Sequence, residues 1–317
     1  MESLLAKTMP ANAEAIAQAA ALLRDGKLVA FPTETVYGLG ADARNGKAVA
    51  GIFAAKGRPR FNPLIVHVHD ITEAEQHAVF SKVALRLAEE FWPGALTLVL
   101  PRRPGTSLSE LVSAGLDTVA LRVPAHPIAA ALLREANLPI AAPSANPSGR
   151  ISPTSAAHVA AGLSRDVELI LDGGATPLGL ESTVIGFDGD APVLLRPGAI
   201  ARQTIEVIAG PLATADAAIR SPGQLESHYA PRAALRLNVR EKEPGETLLG
   251  FGATPDATLN LSPAGDLREA AANLFAMLHE LDRQALRIAV APIPETGLGE
   301  AINDRLRRAA APRTNHA

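Results

Sequence analysis

Apolar and polar positions recur with two different spacings along the first part of the chain. Apolar residues at positions 16, 19, 20 and 23 follow the spacing of a helix that Asn12 can cap and Gly26 can end. Amphipathic stretches predict further helices at residues 49–55, 83–92 and 127–136, the last with proline in its first turn. Short apolar runs predict strands at residues 28–31, 64–68, 95–100, 118–123, 139–142, 168–171, 183–187 and 193–195.

The order of these elements predicts two domains. Many strands with few helices between them, late in the first part, favour an α+β or mixed α/β sheet over a regular Rossmann repeat. The periodicity stops at residues 221–231, SPGQLESHYAP, which have turn formers at both ends. Strands are predicted beyond it at residues 234–239, 247–251, 259–261 and 286–291, with helices at 267–281 and 299–309. We therefore predict a domain at residues 1–220, a linker at 221–231 and a small α/β domain at 232–317.

The composition is that of a chain with its own core. Hydrophobic residues make up 47% of the 317 positions and charged residues 20%, which excludes wholesale disorder and a collagen-like chain. The chain has no cysteine, so disulfides, Cys-ligated zinc, iron–sulfur clusters and thiol nucleophiles are excluded.

The net charge of −3 is spread evenly, with 19 basic and 21 acidic residues up to position 225 and 11 and 12 after it. Without a surplus of Lys and Arg, a dedicated nucleic-acid binder is disfavoured. No apolar run approaches the ~20 residues of a membrane helix, and the first ten residues carry no signal-peptide core. We expect a soluble, cytoplasmic protein without membrane contact.

Polar clusters follow several predicted strands, which is where ligands bind in open α/β sheets. In PTETVYGL (residues 32–39), the hydroxyls of Thr33 and Thr35 could hold a small polar ligand, and a capped turn is the alternative. KGRPRFNP (residues 56–63) places three cations at a helix end, in a loop made rigid by glycine and proline. We expect this loop to face solvent and to cradle a triphosphate. The helix dipole offers a purely structural reason for the same cations.

Two strand residues are also candidates. His67 lies on the opposite face of its strand from Val66 and Val68, although a lone strand histidine is more often a core or edge residue. Arg122 ends an apolar strand. Burying arginine is costly unless an anion pairs with it, so Arg122 implies a carboxylate or phosphate that is either bound or internal.

The loop APSANPSG (residues 142–149) can bring hydroxyl, amide and backbone N–H groups close to a ligand, and ESTV (181–184) and LRPG (195–198) are similar. The sequence has no Walker loop, no GxGxxG, no HExxH and no local Ser/His/Asp triad, so it does not support covalent catalysis. The clusters together predict a site that positions reactants and neutralises charge.

PTETVYGL, KGR (residues 56–58) and SAN (144–146), in this order, resemble the YrdC family, and the linker with a small α/β domain behind it resembles the two-domain members. The resemblance implies a YrdC-like twisted mixed sheet with a concave site and a Rossmann-like C-terminal domain. It also implies an ATP-dependent nucleotidyltransferase. This enzyme joins L-threonine, bicarbonate or CO2 and ATP into threonylcarbamoyl-AMP and releases pyrophosphate. A downstream threonylcarbamoyl transferase complex then modifies the adenosine beside the anticodon of tRNA.

The resemblance further implies roles for individual residues. Lys56 and Arg58 would be catalytic and would bind the ATP phosphates. The other ATP-binding residues would be Asn62, Thr118, Ser144, Asn146, Ser152, Arg196, His228 and Tyr229. The threonine-binding residues would be Thr35, His67, Arg122 and Ser182. Mg²⁺ would be carried mainly by the ATP phosphates, because the sequence shows no carboxylate cluster that would hold it independently.

His228 and Tyr229 suggest that the linker is a lid rather than a passive tether. The ring can stack and the histidine can donate to phosphate, so the segment could close over bound substrates and exclude water. The alternative is that Tyr229 simply packs between the domains.

Two other functions remain open. A carbamoyl-adenylate-forming maturation enzyme for hydrogenases uses the same module, but it carries cysteine-rich zinc fingers that this chain lacks. A double-stranded RNA-binding module is the non-enzymatic alternative, and a weak tRNA contact is a further expectation. Threonine-dependent release of pyrophosphate would separate the enzyme from the binder.

Overall fold

The structure is a computed structural model that describes residues 6–163, 165–214 and 227–312. Its α-helices are α1 (Ala13–Arg24), α2 (Gly46–Lys56), α3 (Ile71–His77), α4 (Lys82–Phe91), α5 (Pro127–Ala136), α6 (Ala156–Leu163), α7 (Arg202–Ala209), α8 (Leu267–Gln284) and α9 (Leu298–Ala310). Residues Glu110–Ser113 form a 3-10 turn. Among the described residues, no helix has the length and hydropathy needed to cross a membrane.

The strands fall into two groups along the chain. The first group is β1 (Lys7–Pro10), β2 (Val29–Pro32), β3 (Tyr37–Asp42), β4 (Ile65–His67), β5 (Leu96–Pro101), β6 (Thr118–Arg122), β7 (Ile140–Ala141), β8 (Leu169–Asp172), β9 (Thr183–Asp188), β10 (Ala191–Arg196) and β11 (Ala213–Thr214). The second is β12 (Ala234–Arg236), β13 (Thr247–Gly250), β14 (Leu259–Asn260) and β15 (Arg287–Val290).

Each group of described strands forms its own sheet. The large sheet has the order β1-β8-β2-β3-β7-β4-β6-β5-β9-β10-β11 and mixes parallel with antiparallel pairs. The small sheet has the order β12-β15-β13-β14 and is parallel throughout. The predicted mixed α/β fold class with a smaller second α/β unit is therefore confirmed.

Alternation along the strands gives the large sheet a core on each face. In β2, Val29 and Phe31 pack with α1 and α5, whereas Ala30 belongs to the larger core on the other face. In β4 and β6, Val66 and Leu121 join this larger core. The residues on the opposite face form a small apolar floor, which consists of Ile65, Val99, Ala120, Val184, Val193 and Leu195.

The two sheets belong to units that share a buried interface. Val36, Ile151 and Leu180, which precede the linker, belong to the core formed by α8, α9 and the small sheet. At Gly179, which has a φ of 65°, an added Cβ would come within 2.4 Å of the Ala272 carbonyl oxygen on α8. A side chain at this position would force the units apart, so glycine permits their close approach.

Most predicted elements lie where the pattern placed them, and α5 begins and ends at the predicted residues. The elements that the pattern missed include β3, α6 and α7. The strand β3 contains two glycines and is buried along its whole length, so it shows no alternation. The segment 32–39 is consequently a turn only at 33–36. Residues 215–226, with the predicted boundary at 220 and most of the linker, lie outside the described residues, and the domain limits stay a prediction.

Candidate functional site

A cavity opens over the apolar floor where several strands of the large sheet end or begin. Its walls come from the turn after β2, the ends of β4 and β6, the loop after β7, the start of β9, the end of β10 and the linker. The lining residues are Thr33, Thr35, Val36, Gly38, Arg58, Ile65, His67, Arg122, Ala142, Pro143, Ser144, Glu181, Ser182, Arg196, His228 and Tyr229.

His67 and Arg122 lie side by side because of strand register. They are paired residues at the carboxyl ends of the parallel strands β4 and β6. Each stands two residues after a member of the apolar floor, so alternation turns both toward the cavity. His67 is 3% exposed, and its Nδ1 has no hydrogen-bond partner among the described residues. Burial, reinforced by the charge of Arg122, lowers the pKa of His67 to about 3, so this ring is neutral at pH 7.

Arg122 is held by three groups. Its Nε donates to the Gly94 carbonyl oxygen at 3.0 Å, and its Nη1 donates to Thr35 Oγ1 at 2.9 Å. Its Nη2 donates to Glu34 Oε1 at 2.6 Å. The anion that pairs with Arg122 is therefore the internal carboxylate Glu34, one of the two alternatives, internal or bound, that the sequence allowed. Glu34 Oε2 has no partner among the described residues. The sequence reasoning assigned no role to Glu34, although it lies inside a segment singled out.

A second polar group lines the wall beside β9. Ser182 Oγ is 2.7 Å from Thr97 Oγ1. Arg196 Nη2 donates to the Ser182 carbonyl oxygen at 2.8 Å and to Ser182 Oγ at 3.2 Å. Arg196 therefore connects the predicted threonine side to the predicted nucleotide side.

Lys56 and Arg58 stand on either side of the left-handed residue Gly57, which ends α2 with a φ of 58°. The expectation that they face solvent is wrong, because they are only 4% and 7% exposed. Lys56 Nζ donates to the carbonyl oxygens of Ser144 (2.6 Å) and Asn146. Arg58 donates to the carbonyl oxygens of residues 62 (3.1 Å) and 63 (2.8 Å). The loop thus folds back so that both cations meet backbone oxygens.

The other polar residues of the loops 56–63 and 142–149 differ in exposure and in hydrogen bonding. Arg60, the third cation of the segment, is exposed. Asn62 is 1% exposed, and neither polar atom of its side chain has a partner in the described part of the chain. Asn146 donates to the carbonyl oxygens of Pro147 and Arg150, while its Oδ1 is buried without a partner in the same part.

Burial removes Lys56 and Arg58 from water, and the hydrogen bonds described above pair them with neutral carbonyl oxygens rather than with anions. It lowers the pKa of Lys56, with the charge of Arg58 acting in the same direction. It also lowers the pKa of Arg58 to about 9, an effect that Tyr229 opposes and Arg196 reinforces. Buried cations that lack a full set of anionic partners favour an anionic ligand. The arrangement can therefore bind phosphate groups.

His228 and Tyr229 lie inside the cavity against these cations. Burial, followed by the charges of Arg58 and Lys56, lowers the pKa of His228, so its ring is neutral at pH 7. Tyr229 stacks on Phe275 of α8 with centroids 5.6 Å apart, and its hydroxyl has no partner among the described residues. Tyr229 therefore packs between the two units and lines the cavity as well.

A hydrogen-bond network next to Tyr229 was not predicted from the sequence. Glu181 accepts from Ser152 Oγ at 2.5 Å and from Nε of Arg305 at 2.8 Å. Arg305 belongs to α9 of the second unit and occupies its apolar face, beside Ile302 and Ala309. An arginine at helical spacing within an apolar stripe was the signal that could have identified it.

The predicted residues are thus brought together with one exception. Nine of them line the cavity, and Lys56, Asn62, Asn146 and Ser152 lie behind its wall in the contacts described above. Thr118 begins β6 and stands four residues before Arg122, about 13 Å away along an extended strand. It does not line the cavity as the structure describes it, and its contact with ATP stays a prediction.

Known protein families match both parts of the chain. Residues 21–198 match the Sua5/YciO/YrdC family model, whose description is "Telomere recombination". The chain belongs to the Sua5/YrdC family. Residues 200–311 match a second model, described as "Threonylcarbamoyl-AMP synthase, C-terminal domain", as expected of a two-domain Sua5/YrdC protein.

Relatives of this Sua5/YrdC chain match it over nearly its whole length. The threonylcarbamoyl-AMP synthase of Bacillus subtilis (strain 168) is 45% identical and aligns with 95% of this chain and 94% of its own. That of Pyrococcus abyssi (strain GE5 / Orsay) is 43% identical, with 92% and 93% covered. The crystal structure of P. abyssi Sua5 complexed with L-threonine superposes with a TM-score of 0.88 at 40% identity, covering 96% of this chain and 97% of that one.

Proposed function

We propose that this protein is an L-threonylcarbamoyladenylate synthase that joins L-threonine, bicarbonate or CO2 and ATP, releases pyrophosphate, and so acts as an ATP-dependent nucleotidyltransferase. One observation carries the proposal. A single cavity combines a fixed arginine bonded to a hydroxyl, at Arg122, with a second buried cation, Arg58, while the buried Lys56 lies behind the wall, bonded to the carbonyl oxygen of the lining residue Ser144. The names of the relatives and the threonine in the P. abyssi structure support the same reading.

The Arg122 side would bind threonine. The guanidinium is already oriented by Thr35 and Glu34, so it can present a fixed fork to the amino-acid carboxylate. Ser182 and neutral His67 can exchange hydrogen bonds with the hydroxyl and amine without adding charge.

The reaction then needs two bond-forming steps. The threonine amine attacks CO2 or bicarbonate, loses a proton and gives the N-carboxylate, with water leaving in the bicarbonate case. An oxygen of this carboxylate attacks the α-phosphorus of ATP, and pyrophosphate leaves with the electron pair of the broken P–O bond. Lys56, Arg58 and Arg196 would hold the phosphates and stabilise the charge on the leaving group. Catalysis would therefore come from positioning and electrostatics.

Mg²⁺ would enter with ATP and reduce the phosphate charge. The nearby carboxylates Glu34 and Glu181 are engaged by Arg122 and Arg305, which makes them poor metal ligands. The described residues hold no cluster of metal-ligating side chains, so the cation would be bound mainly by phosphate oxygens and water.

His228 and Tyr229 would form a lid. The free volume of the cavity is about 40 Å³, whereas pockets for ligands of drug size have roughly 300–1,000 Å³. Binding of ATP therefore requires part of the wall to withdraw, and we propose that this segment does so. Tyr229 is held with a φ of 62°, a left-handed conformation that is strained for a tyrosine and would be relieved by opening. After ATP binds, reclosure would shield the carbamate and the acyl-adenylate from water.

The product would serve a downstream threonylcarbamoyl transferase complex that modifies tRNA, in the cytoplasm. The deciding experiment measures pyrophosphate release and threonylcarbamoyl-AMP by mass spectrometry, with ATP, bicarbonate and either L-threonine or no amino acid. We expect both products only with threonine. Tight binding to double-stranded RNA without threonine-dependent pyrophosphate release would favour the RNA-binding alternative.

A further inference from the structure

The second unit reaches the candidate site through one buried arginine. Arg305 projects from α9, its residue is 1% exposed, and its Nε donates to Glu181 Oε2 at 2.8 Å. Its guanidinium carbon lies 5.0 Å from the centre of the Tyr229 ring, which is the geometry of a cation–π contact. One side chain of the second unit therefore contacts both the cavity wall and the proposed lid.

Ser152 contacts the second unit directly through α8 and indirectly, by way of Glu181, through α9. Its hydroxyl donates to Glu181 Oε1 at 2.5 Å, so Glu181 bridges Ser152 and Arg305. Its carbonyl oxygen lies 3.1 Å from Nε2 of His279 on α8. The next residues are also fixed, because the Pro153 carbonyl accepts from the backbone N–H of Tyr37 at 2.9 Å. The position of this predicted nucleotide contact thus depends on α8 and α9.

An interface needs no buried charge to be stable, since apolar residues of similar volume serve as well or better. Arg305 nevertheless stands in an apolar stripe, and its Nη2 has no hydrogen-bond partner among the described residues. Asp304 Oδ2 accepts from Nη1 at 2.6 Å. The guanidinium is thus fixed in orientation by Asp304 and Glu181, with donor capacity left over beside Tyr229.

We infer that Arg305 is a positioning residue for the nucleotide side of the site: through Glu181 it places Ser152, and through the ring of Tyr229 it sets the closed position of the lid. The second unit is then part of the synthetic machinery. This inference rests on the proposed function for its meaning, but ATP binding alone can test it.

The test compares Arg305→Ala, Arg305→Lys and Glu181→Gln in the full chain, with Arg307→Ala as the matched control. Arg307 lies on the same helix, but its side chain is 55% exposed and pairs only with Glu295 among the described contacts. Loss of a charge-assisted bond predicts an ATP dissociation constant raised about 10- to 100-fold in Arg305→Ala, measured by calorimetry without threonine. We expect an intermediate value for Arg305→Lys, whose ammonium pairs with Glu181 but lacks the planar fork, and no change for Arg307→Ala.

Kinetic measurements distinguish a positioning role of Arg305 from a purely structural one. In Arg305→Ala, the KM for ATP should rise with the dissociation constant, whereas the KM for threonine should stay within about twofold of wild type. The double variant Glu181→Gln/Arg305→Ala should bind ATP no more weakly than Arg305→Ala, because both changes break the same contact. If Arg305→Ala does not fold, Arg305→Lys and Glu181→Gln decide. Wild-type ATP affinity in these variants, or equal losses for ATP and threonine, would overturn the inference. A wild-type protein that binds ATP but makes no product would instead refute the proposed function. The ATP titrations would still test the positioning role of Arg305.

Discussion

Replacing Glu34 with glutamine is expected to destabilise the unit built on the large sheet by about 3 kcal/mol. The side chains of Arg122 and Glu34 are 4% and 10% exposed, with 2.6 Å between Nη2 and Oε1. Removing one partner of a buried pair costs about 3–5 kcal/mol, because the other charge stays buried without a counter-ion. Glutamine still accepts the hydrogen bond, so the expected cost lies at the low end of this range.

The loss should depend on pH. Burial alone would raise the pKa of Glu34, but the charge of Arg122 and its hydrogen bond outweigh burial, and the pKa lies below the usual 4.5. A carboxyl with a lowered folded-state pKa stabilises the fold above its unfolded pKa, and this contribution is lost as pH falls through the folded value. The difference between wild type and Glu34→Gln should therefore be complete at pH 7 and should shrink below about pH 4.5.

The fluorescence of Trp92 can be used to measure this free energy of unfolding. Trp92 is the single tryptophan, is buried at 7% exposure, and lies two residues before Gly94, which accepts from Arg122. Urea unfolding followed by its fluorescence reports on this unit. The control is Glu168→Gln, which breaks a pair with Lys27 that is about half exposed and should cost at most about 1 kcal/mol.

A double variant separates the causes. If the uncompensated charge of Arg122 is what destabilises Glu34→Gln, then Glu34→Gln/Arg122→Met should recover most of the loss. A Glu34→Gln protein within about 0.5 kcal/mol of wild type at pH 7 would refute the reasoning. It would mean that some other group compensates Arg122.

Four further variants test the site. Arg58→Ala should weaken ATP binding about 10- to 100-fold in calorimetry, and unchanged affinity would remove Arg58 from the phosphate side. Arg122→Lys should raise the KM for threonine more than that for ATP, because one ammonium cannot reproduce a bidentate fork; a loss confined to ATP would reassign this residue. His228→Ala should lower the yield of threonylcarbamoyl-AMP per ATP consumed while leaving the thermal midpoint near wild type, and an unchanged yield would argue against the lid. Tyr229→Ala should also destabilise the fold by about 3–5 kcal/mol, since the ring is 1% exposed and stacks on Phe275, so denaturation must be measured beside activity.

Local patterns in the sequence were enough to predict the secondary elements that have a clear period and the loops that follow them. Alternation in β4 and β6 and the helical spacing in α1 and α5 each record burial on one face, which is a local property. The position of polar segments after strands then predicted a cavity at the strand ends. The same logic failed for β3, where burial along the whole strand and two glycines leave no period to detect.

The burial and pairing of charges depend on long-range contacts that form when the chain folds. Lys56 and Arg58 look like solvent-facing cations in sequence, but the fold buries both against backbone carbonyls. Glu34, which pairs with Arg122, and Glu181, which pairs with Arg305, are 88 and 124 residues away along the chain. Pairing over such separations follows from sheet order and from the docking of two units, which no local pattern encodes. For the same physical reason, a helix at the far end of the chain could be seen to reach the candidate site only once both units were folded together.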